Sequence, residues 1–245
     1  DDLKNYTVTT ITNADEHKYL DSYLSKSVIG TRALSSVLVK GKTDGSGIKV
    51  TTYNITYCTT GMYQNALATA GIEDAEIVVA GPYNISGTAA LVGAIKSYEN
   101  MTGETVSQEN VDTATNELVV TGKLAESVGD SDKAEQLVGA VKEQVVEGSD
   151  NGKKMTEEEI GNVVAAQDMD VQRSDEDRQE IVDLMDKIKG LDIDVDSLKE
   201  QAKDLYDKID DLGLKLDWNQ EKVQGFFSKI IEFFKNLFSE KRIEI

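Results

Sequence analysis

The stretch EIVVAGPYNISGTAALVGAIKSYE, residues 76–99, predicts a strand, a loop and a helix, and this unit decides the fold class. Residues 77–80 form a short apolar run, which is typical of a strand covered on both faces. Gly81 and Pro82 are expected to end that strand. Ser86 is the predicted N-cap of the helix, because its hydroxyl oxygen can accept a free backbone N–H of the first turn. Apolar residues then recur at helical spacing, so one side of this helix is expected to be buried.

Upstream of this unit, the sequence predicts three strands and two helices. Residues 6–12 are rich in β-forming side chains, and Asn13 follows as the predicted cap of a first helix. Residues 32–41 and 48–57 are two predicted strands, which TDGSG is expected to join as a hairpin. A second helix is expected over residues 62–70, because a glycine follows it directly.

These elements follow one another in the order β-α-β-β-α-β, with one further helix. That is the order of a ferredoxin-like sandwich, in which helices cover one face of an antiparallel sheet. We therefore predict an α+β domain over residues 1–103, with a mixed sheet of different strand order as the alternative. Residues 104–245 predict only helices, with an acidic outer face and a hinge at residues 148–154. The predicted helix starts are Ser107, Asp132 with Glu135, Thr156 with Glu159, and Ser174 with Asp177.

The charge balance argues against a nucleic-acid partner. The chain has 45 acidic and 26 basic residues, a net charge of −19, whereas phosphate binding depends on Lys and Arg. No apolar run approaches the roughly 20 residues that cross a bilayer, so no transmembrane segment is expected. The chain starts without a basic and apolar leader, so no signal peptide is visible; a mature secreted protein would look the same, so this observation does not indicate a location.

Metal and cofactor sites are not predicted. Cys58 and His17 are single in the chain, which excludes an internal disulfide, a thiolate zinc cluster and a two-histidine site. Asp192 begins a pattern of alternating acids similar to a calcium loop. Ser197 stands where that loop needs glycine, however, and Lys203 stands where it needs a glutamate. We therefore expect no metal ion and no cofactor.

Two predicted strand-to-helix loops form a candidate anion or peptide site. The free N–H groups and the dipole of a helix N-terminus attract negative charge. The second loop has a composition similar to the first and is expected to lie beside it. The candidate residues are Gly81, Ser86, Gly87, Thr88, Thr59 and Thr60. The favoured alternative is structural, with the glycines serving backbone geometry and the serine serving only as a helix cap.

A catalytic constellation is not evident. A hydrolase or transferase would use the loop Ser86-Gly87-Thr88, but it lacks the G-x-S-x-G elbow, and its base would be His17 or a lysine. Cys58 has β-forming neighbours and is expected to be a buried small apolar residue. His17 is expected to lie exposed on the first helix. We therefore predict a protein that is not an enzyme.

A phenylalanine-rich segment ends the chain. Residues 218–240 predict an amphipathic helix that contains all five phenylalanines. Its apolar face is expected either to cover a hydrophobic core or to contact a membrane surface or a partner. The candidate contact residues are Trp218, Phe226, Phe227, Phe233, Phe234 and Phe238.

The segment NITYCTTGMYQNALATAGIEDAEIVVAGPYNISGTAALVGAIKSYENMTG resembles the YpuA-like secreted proteins of Gram-positive bacteria, a family of unknown function. NADEHKYL and IGTRALSSVLVK upstream extend the resemblance, and residues 28–103 are its most specific part. The resemblance implies a secreted or cell-surface location in the cell envelope, and a signal peptide that has been removed from this chain. It brings no catalytic residues.

We therefore predict a secreted or envelope-associated binding protein whose partner is a protein, a peptide or a cell-wall component. A hydrolase or transferase acting through Ser86-Gly87-Thr88 is one alternative. A peripheral membrane protein that binds through the phenylalanine-rich helix is the other.

Overall fold

The computed structural model describes residues 6–43, 45–149, 154–166, 174–195 and 198, all within one compact unit that spans residues 1–205. Three strands and eight helices are present in these residues. Their bounds are α1 Asn13–Leu20, α2 Lys26–Ile29, β1 Ser36–Gly41, β2 Ile48–Ile55, α3 Thr60–Thr69, β3 Ala75–Ile85, α4 Thr88–Thr102, α5 Gln108–Val128, α6 Ser131–Ser149, α7 Glu157–Ala166 and α8 Asp175–Ile188. The predicted α+β class is confirmed.

The sheet has the order β1-β3-β2, so the last strand along the chain lies in the middle. β3 is antiparallel to β1, with Val37 opposite Val79. β3 is parallel to β2, with Val50 opposite Ile77. The unit β2-α3-β3 is therefore a parallel crossover, and the sheet is mixed rather than antiparallel. The described residues do not show the four-stranded ferredoxin-like arrangement.

The predicted hairpin between β1 and β2 is wrong, because β3 separates the two strands. The connecting loop is fixed from the start of β3 instead. The carboxylate of Asp74 accepts backbone N–H groups from Gly45 at 3.0 Å, from Ser46 at 2.6 Å and from Gly47 at 2.8 Å. The glycine-rich loop thus crosses the end of the central strand rather than turning tightly on itself.

Residues 6–12 do not form the predicted strand. This segment contacts α4: Asn100 donates a side-chain hydrogen bond of 2.7 Å to the Thr9 hydroxyl, and a Cβ added at Gly93 would lie 3.8 Å from Ile11. Thr12, rather than Asn13, caps α1 through a reciprocal capping box with Asp15. The β-forming side chains pack on a helix, so their propensity does not determine a strand here.

β3 continues through Gly81 and Pro82 to Ile85, beyond the predicted end of the strand. Beyond Ala80, β3 has only β2 beside it, so Pro82 lies where no partner needs its missing N–H. Burial alternates along β3, since residues 75, 77, 79 and 81 are buried and those between them are half-buried. The helices therefore cover one face of the sheet, and the interpretation of residues 77–80 as a strand covered on both faces is wrong.

α3 packs on β2 and α4 packs on β1, and this sheet layer continues into the later helices. α5 and α6 pack against α3, while α8 packs against α5 and α7. Every described element after residue 103 is a helix, while the helical character of the whole region to residue 245 stays a prediction. The domain boundary at residue 103 stays a prediction. Among the described residues, we find no helix that combines the length and the apolar character of a membrane span.

Two further predictions concern residues for which the structure gives little. The hinge over residues 148–154 lies mostly outside the described residues, although α6 continues as far as Ser149. The phenylalanine-rich helix over residues 218–240 lies wholly outside them. The candidate contact residues Trp218, Phe226, Phe227, Phe233, Phe234 and Phe238 therefore stay predictions.

Candidate functional site

The carboxyl ends of β2 and β3 bring the two strand-to-helix loops together. The backbone N–H of Thr56 donates to the carbonyl of Ile85 at 2.9 Å, and that of Cys58 donates to the carbonyl of Ser86 at 3.1 Å. The predicted neighbourhood of the two loops is confirmed. The carboxyl ends of parallel strands are also the usual place for ligand sites in α/β sheets.

α4 begins one residue later than predicted, at Thr88, and its N-cap is Gly87 rather than Ser86. Gly87 has φ of 90°, a left-handed conformation that favours glycine. A Cβ there would lie 2.5 Å from the Tyr63 hydroxyl oxygen. That hydroxyl donates to the Gly87 carbonyl at 2.6 Å. The turn at Gly87 therefore packs closely against α3, and its conformation does not depend on a serine cap.

A buried carboxylate from α1 occupies the N-terminus of α4. Glu16 is 2% exposed, and its Oε1 accepts the Thr88 hydroxyl at 2.6 Å. The side chain also accepts the Asn13 amide at 3.3 Å and the backbone N–H of Ala89. Burial raises the pKa of Glu16, and these hydrogen bonds oppose the rise. The chain thus supplies its own anion at the position where the sequence predicts an external one.

A cavity of about 460 Å³ opens beside this carboxylate, a volume in the range of small-molecule sites. Its walls come from α1, α2, the segment before β1 and the two strand-to-helix loops. Polar side chains with hydroxyl groups are prominent among the lining residues. The polar lining consists of Glu16, Ser27, Thr31, Arg32, Ser35, Thr56, Tyr57, Asn84, Ser86 and Thr88.

The Ser86 side chain connects the cavity to the buried carboxylate. Its Oγ lies 3.3 Å from the Thr88 Oγ1, and Thr88 itself donates to Glu16. Ser86 is half-buried, whereas Thr88 is 1% exposed. A chain of hydrogen bonds therefore runs from the buried acid to a hydroxyl on the cavity wall.

The N-terminus of α3 holds a second buried carboxylate, in closed surroundings. Thr59 caps α3 by accepting the N–H of Met62 at 3.1 Å, and its hydroxyl donates to the carboxylate of Glu135 on α6. Glu135 is 5% exposed. A Cβ at Gly61 would lie less than 3.0 Å from that carboxylate, so only glycine lets the acid approach this closely.

The structure thus divides the predicted site residues. Ser86, Gly87 and Thr88 line the cavity, whereas Thr59 and Thr60 lie at the closed start of α3. Gly81 lies within β3, where a Cβ would be 2.9 Å from the carbonyl of Asn54. That any of these residues binds a ligand stays a prediction.

The two charged residues among those that line the cavity, Arg32 and Glu16, were not sequence candidates. Arg32 lies in the loop before β1, and its guanidinium donates to the Tyr83 hydroxyl at 3.5 Å. Glu16 accepts its hydrogen bond from Thr88, which lies 72 positions further along the sequence. The only local signal for Glu16 was its position three residues after Asn13, which indicates a helix cap rather than a site.

Cys58 and His17 lie outside the candidate chemistry. Cys58 is buried as predicted, and burial raises the pKa of its thiol to about 12. Nδ1 of His17 lies 2.5 Å from Oδ1 of Asp21, and this hydrogen bond raises the pKa of the imidazole. Neither residue lines the cavity. No group of three or more potential metal ligands occurs in the residues that the structure describes.

A buried ion pair lies behind Glu135, between α5 and α6. Nζ of Lys142 lies 2.9 Å from Oε1 of Glu117, and the two side chains are 2% and 0% exposed. Lys142 also donates to the Asn65 carbonyl at 2.8 Å, and Thr69 donates to the carboxylate of Glu117. Both partners therefore have further hydrogen bonds from α3, as a buried pair requires.

The chain matches the family described as "Protein of unknown function (DUF1002)" over residues 1–205. The chain belongs to this family. It is also 39% identical over 198 residues to "Uncharacterized protein YpuA" of Bacillus subtilis (strain 168), covering 80% of this chain and 67% of that protein. The YpuA-like resemblance predicted from the sequence is therefore confirmed. No solved structure matches the chain.

Proposed function

We propose that this chain is an extracytoplasmic, envelope-associated binding protein, and that the cavity beside the start of α4 holds its ligand. The observation that carries the proposal is the position of Ser86, Gly87 and Thr88 on the wall of that cavity. The cavity lies at the carboxyl ends of parallel strands, where such sites are frequent. Its lining supplies hydroxyl, amide and guanidinium groups, which suit a small polar ligand.

Binding is favoured over bond cleavage because the acid beside Ser86 already has a structural task. Glu16 accepts the Thr88 hydroxyl and the Ala89 N–H, and so holds α1 against the start of α4. A general base needs to contact the proton that it removes. Here Thr88 stands between Glu16 and the Ser86 hydroxyl.

The test is a titration of the isotope-labelled full chain with small neutral and charged polar probes, followed through backbone amide resonances. We expect shifts at Ser86, Gly87 and Thr88. The amides of Thr60 and Gly61, at the closed helix start, are the internal control. Binding at the cavity is ruled out if no probe moves the first group at millimolar concentration.

A hydrolase or transferase is the second candidate, and the hydrogen-bond chain is the observation that favours it. Ser86 would attack the acyl carbon of an ester, while its proton passes to Thr88 and the Thr88 proton passes to Glu16. The proton would return along the same chain to the alkoxide that leaves as the ester C–O bond breaks, and water would then hydrolyse the acyl-Ser86. Activated esters provide a direct test. We expect no turnover above that of Ser86→Ala, whereas turnover lost in this variant would establish the enzyme.

The extracytoplasmic location rests on the YpuA-like resemblance. Fractionation of cells that express the complete gene tests it, and recovery from the cytoplasm alone would contradict it. Contact with a membrane surface through residues 218–240 is tested by vesicle flotation of the full chain beside a Phe233→Ser, Phe234→Ser variant. Flotation that this variant abolishes would make the membrane the partner.

A further inference from the structure

The hydroxyl chain between Glu16 and Ser86 has a defined direction. Each hydroxyl has one proton to donate and lone pairs that accept. Thr88 gives its proton to Oε1 of Glu16 at 2.6 Å. The 3.3 Å contact between Thr88 and Ser86 can then form only if Ser86 donates. With its proton used in this way, Ser86 presents acceptor lone pairs to the cavity.

We infer that the cavity binds a neutral, polyhydroxylated ligand of the saccharide type, with a ligand hydroxyl donating to Ser86. This inference rests on the proposed binding function and names the class of its ligand. An O–H group satisfies the geometry because it gives a proton to Ser86 and still accepts from other groups. Phosphate diesters and carboxylates have no proton to give at neutral pH, and inorganic phosphate, which keeps one, is disfavoured by its charge.

The other polar groups of the cavity are consistent with this class. Arg32 and Asn84 line the same cavity and offer N–H donors. The ligand must therefore donate at the Ser86 wall and accept elsewhere, and hydroxyl groups do both. Ser27, Thr31 and Ser35 add further hydroxyls.

An anion is disfavoured at the same wall for an electrostatic reason. The start of α4 attracts negative charge, but the Glu16 carboxylate already occupies it and accepts the Thr88 hydroxyl and the Ala89 N–H. A ligand anion at Ser86 would be separated from the buried Glu16 carboxylate only by the Ser86 and Thr88 hydroxyls. Like charges in a partly buried site repel strongly.

The experiment titrates the full chain with methyl glucoside and with inorganic phosphate, following the amides of Ser86, Gly87 and Thr88. We expect glucoside to shift these resonances and phosphate to leave them unmoved. Ser86→Ala should weaken glucoside binding about three- to tenfold, which is the loss of one neutral hydrogen bond. Glu16→Gln should admit phosphate, because it removes the negative charge.

A matched pair tests the direction of the chain. Thr88→Ser keeps the hydroxyl and should retain glucoside binding, whereas Thr88→Val removes it and should weaken binding as Ser86→Ala does. Thermal melting of each variant shows whether it is folded, and Ser86→Ala carries the test if Thr88→Val unfolds.

The outcomes separate this inference from the proposed function. If phosphate shifts the unmodified chain as strongly as glucoside does, or if Ser86→Ala binds glucoside unchanged, the saccharide assignment is overturned and the binding site stands. If neither probe, and none of the other polar probes named under the proposed function, shifts these amide resonances, the proposal of a binding site is itself overturned.

Discussion

The starts of α3 and α4 are two versions of one arrangement with different surroundings. In each, a strand-to-helix loop ends at a helix whose first turn meets a buried glutamate, and a threonine hydroxyl donates to that glutamate. Glu135 reaches α3 from α6, within the packed helices. Glu16 reaches α4 from α1 and lies beside an open cavity. The same local chemistry thus closes one helix start and forms the wall of a candidate site at the other.

The difference shows that a helix N-terminus indicates a ligand site only when nothing in the chain already occupies it. Both starts carry the sequence signals of an anion site, namely glycines and small hydroxyl residues after a strand. In both, a carboxylate of the same chain takes the place of the external anion. What remains for a ligand at α4 is the adjacent cavity, not the helix dipole.

The largest loss of unfolding free energy is expected when the buried cation Lys142, in the packed helices beside α3, is removed. Lys142→Met leaves Glu117 without its partner, and breaking a buried ion pair costs about 3–5 kcal/mol of unfolding free energy. Lys133→Met, on the same helix with a 3.8 Å pair to Asp130 that is partly exposed, should change it by less than about 1 kcal/mol. Denaturant unfolding measures both. Equal costs would contradict the closed interior described for α3, α5 and α6.

A smaller loss is expected at Gly61, where the acid approaches the backbone of α3. Gly61→Ala places a Cβ against the Glu135 carboxylate, and overpacking of this kind costs about 1–3 kcal/mol. Gly161→Ala is the matched control, since Gly161 lies in α7 with nothing within 4 Å of its Cβ position. There alanine should stabilise by about 0.5–1 kcal/mol. A neutral Gly61→Ala would show that Glu135 does not occupy this helix start.

Removal of the threonine hydroxyl at the closed start tests whether the two regions differ in function. Thr59→Val removes a helix cap and a donor to Glu135, so a loss of about 1–2 kcal/mol is expected. Glucoside-induced shifts at Ser86 and Gly87 should stay as in the unmodified chain, because Thr59 does not line the cavity. Loss of those shifts in a folded Thr59→Val variant would mean that the two starts form one site.

The smallest expected effect is a change in how the unfolding free energy depends on pH, and it comes from Glu16 beside the cavity. The pKa of Glu16 is raised by burial, so the folded state holds this proton more tightly than the unfolded chain does. Its contribution to the unfolding free energy is therefore largest below the unfolded pKa of about 4.5 and is lost as the pH rises through the folded value. Glu16→Gln should reduce this slope, while Glu117 and His17, whose pKa values are also raised, should maintain the rest of it.

Asp15 provides the control for that measurement, because it is the neighbouring residue and shifts in the opposite direction. Hydrogen bonds from Thr12 lower the pKa of Asp15 below 3.8, so its contribution is lost only at more acid pH. Asp15→Asn should leave the slope between pH 4.5 and 7 unchanged. Denaturant unfolding across this range gives the comparison, and a slope that Glu16→Gln leaves unchanged would assign it wholly to other groups.

Local signals in the sequence predict the local structure well. The caps at Ser107 and Ser174 and the capping box of Thr156 with Glu159 all form, since each needs only a short stretch of chain. The predicted start at Asp132 is wrong, because α6 already begins at Ser131. The glycine after α3 also lies where expected, with φ of 84° at Gly71. The neighbourhood of the two strand-to-helix loops followed from the idea that they share an edge of the sheet.

Features that depend on residues far apart in the sequence could not be predicted from local signals. The hairpin prediction failed because a turn signal is local, whereas the insertion of β3 between β1 and β2 is decided by residues about 30 positions further on. The glutamates at the two helix starts lie 72 and 76 residues from the threonines that they meet. Ordinary helix positions such as these carry no pattern that marks them as partners of a distant loop.

The late position of the central strand has a consequence for how the molecule assembles. A nascent chain that ends before residue 75 carries β1 and β2 but lacks the strand that pairs with both. The sheet can form only after residue 85 is available, so its closure depends on contacts between distant parts of the chain and is expected to be slow. Until then the two strands have unpaired edges, which favours association between chains.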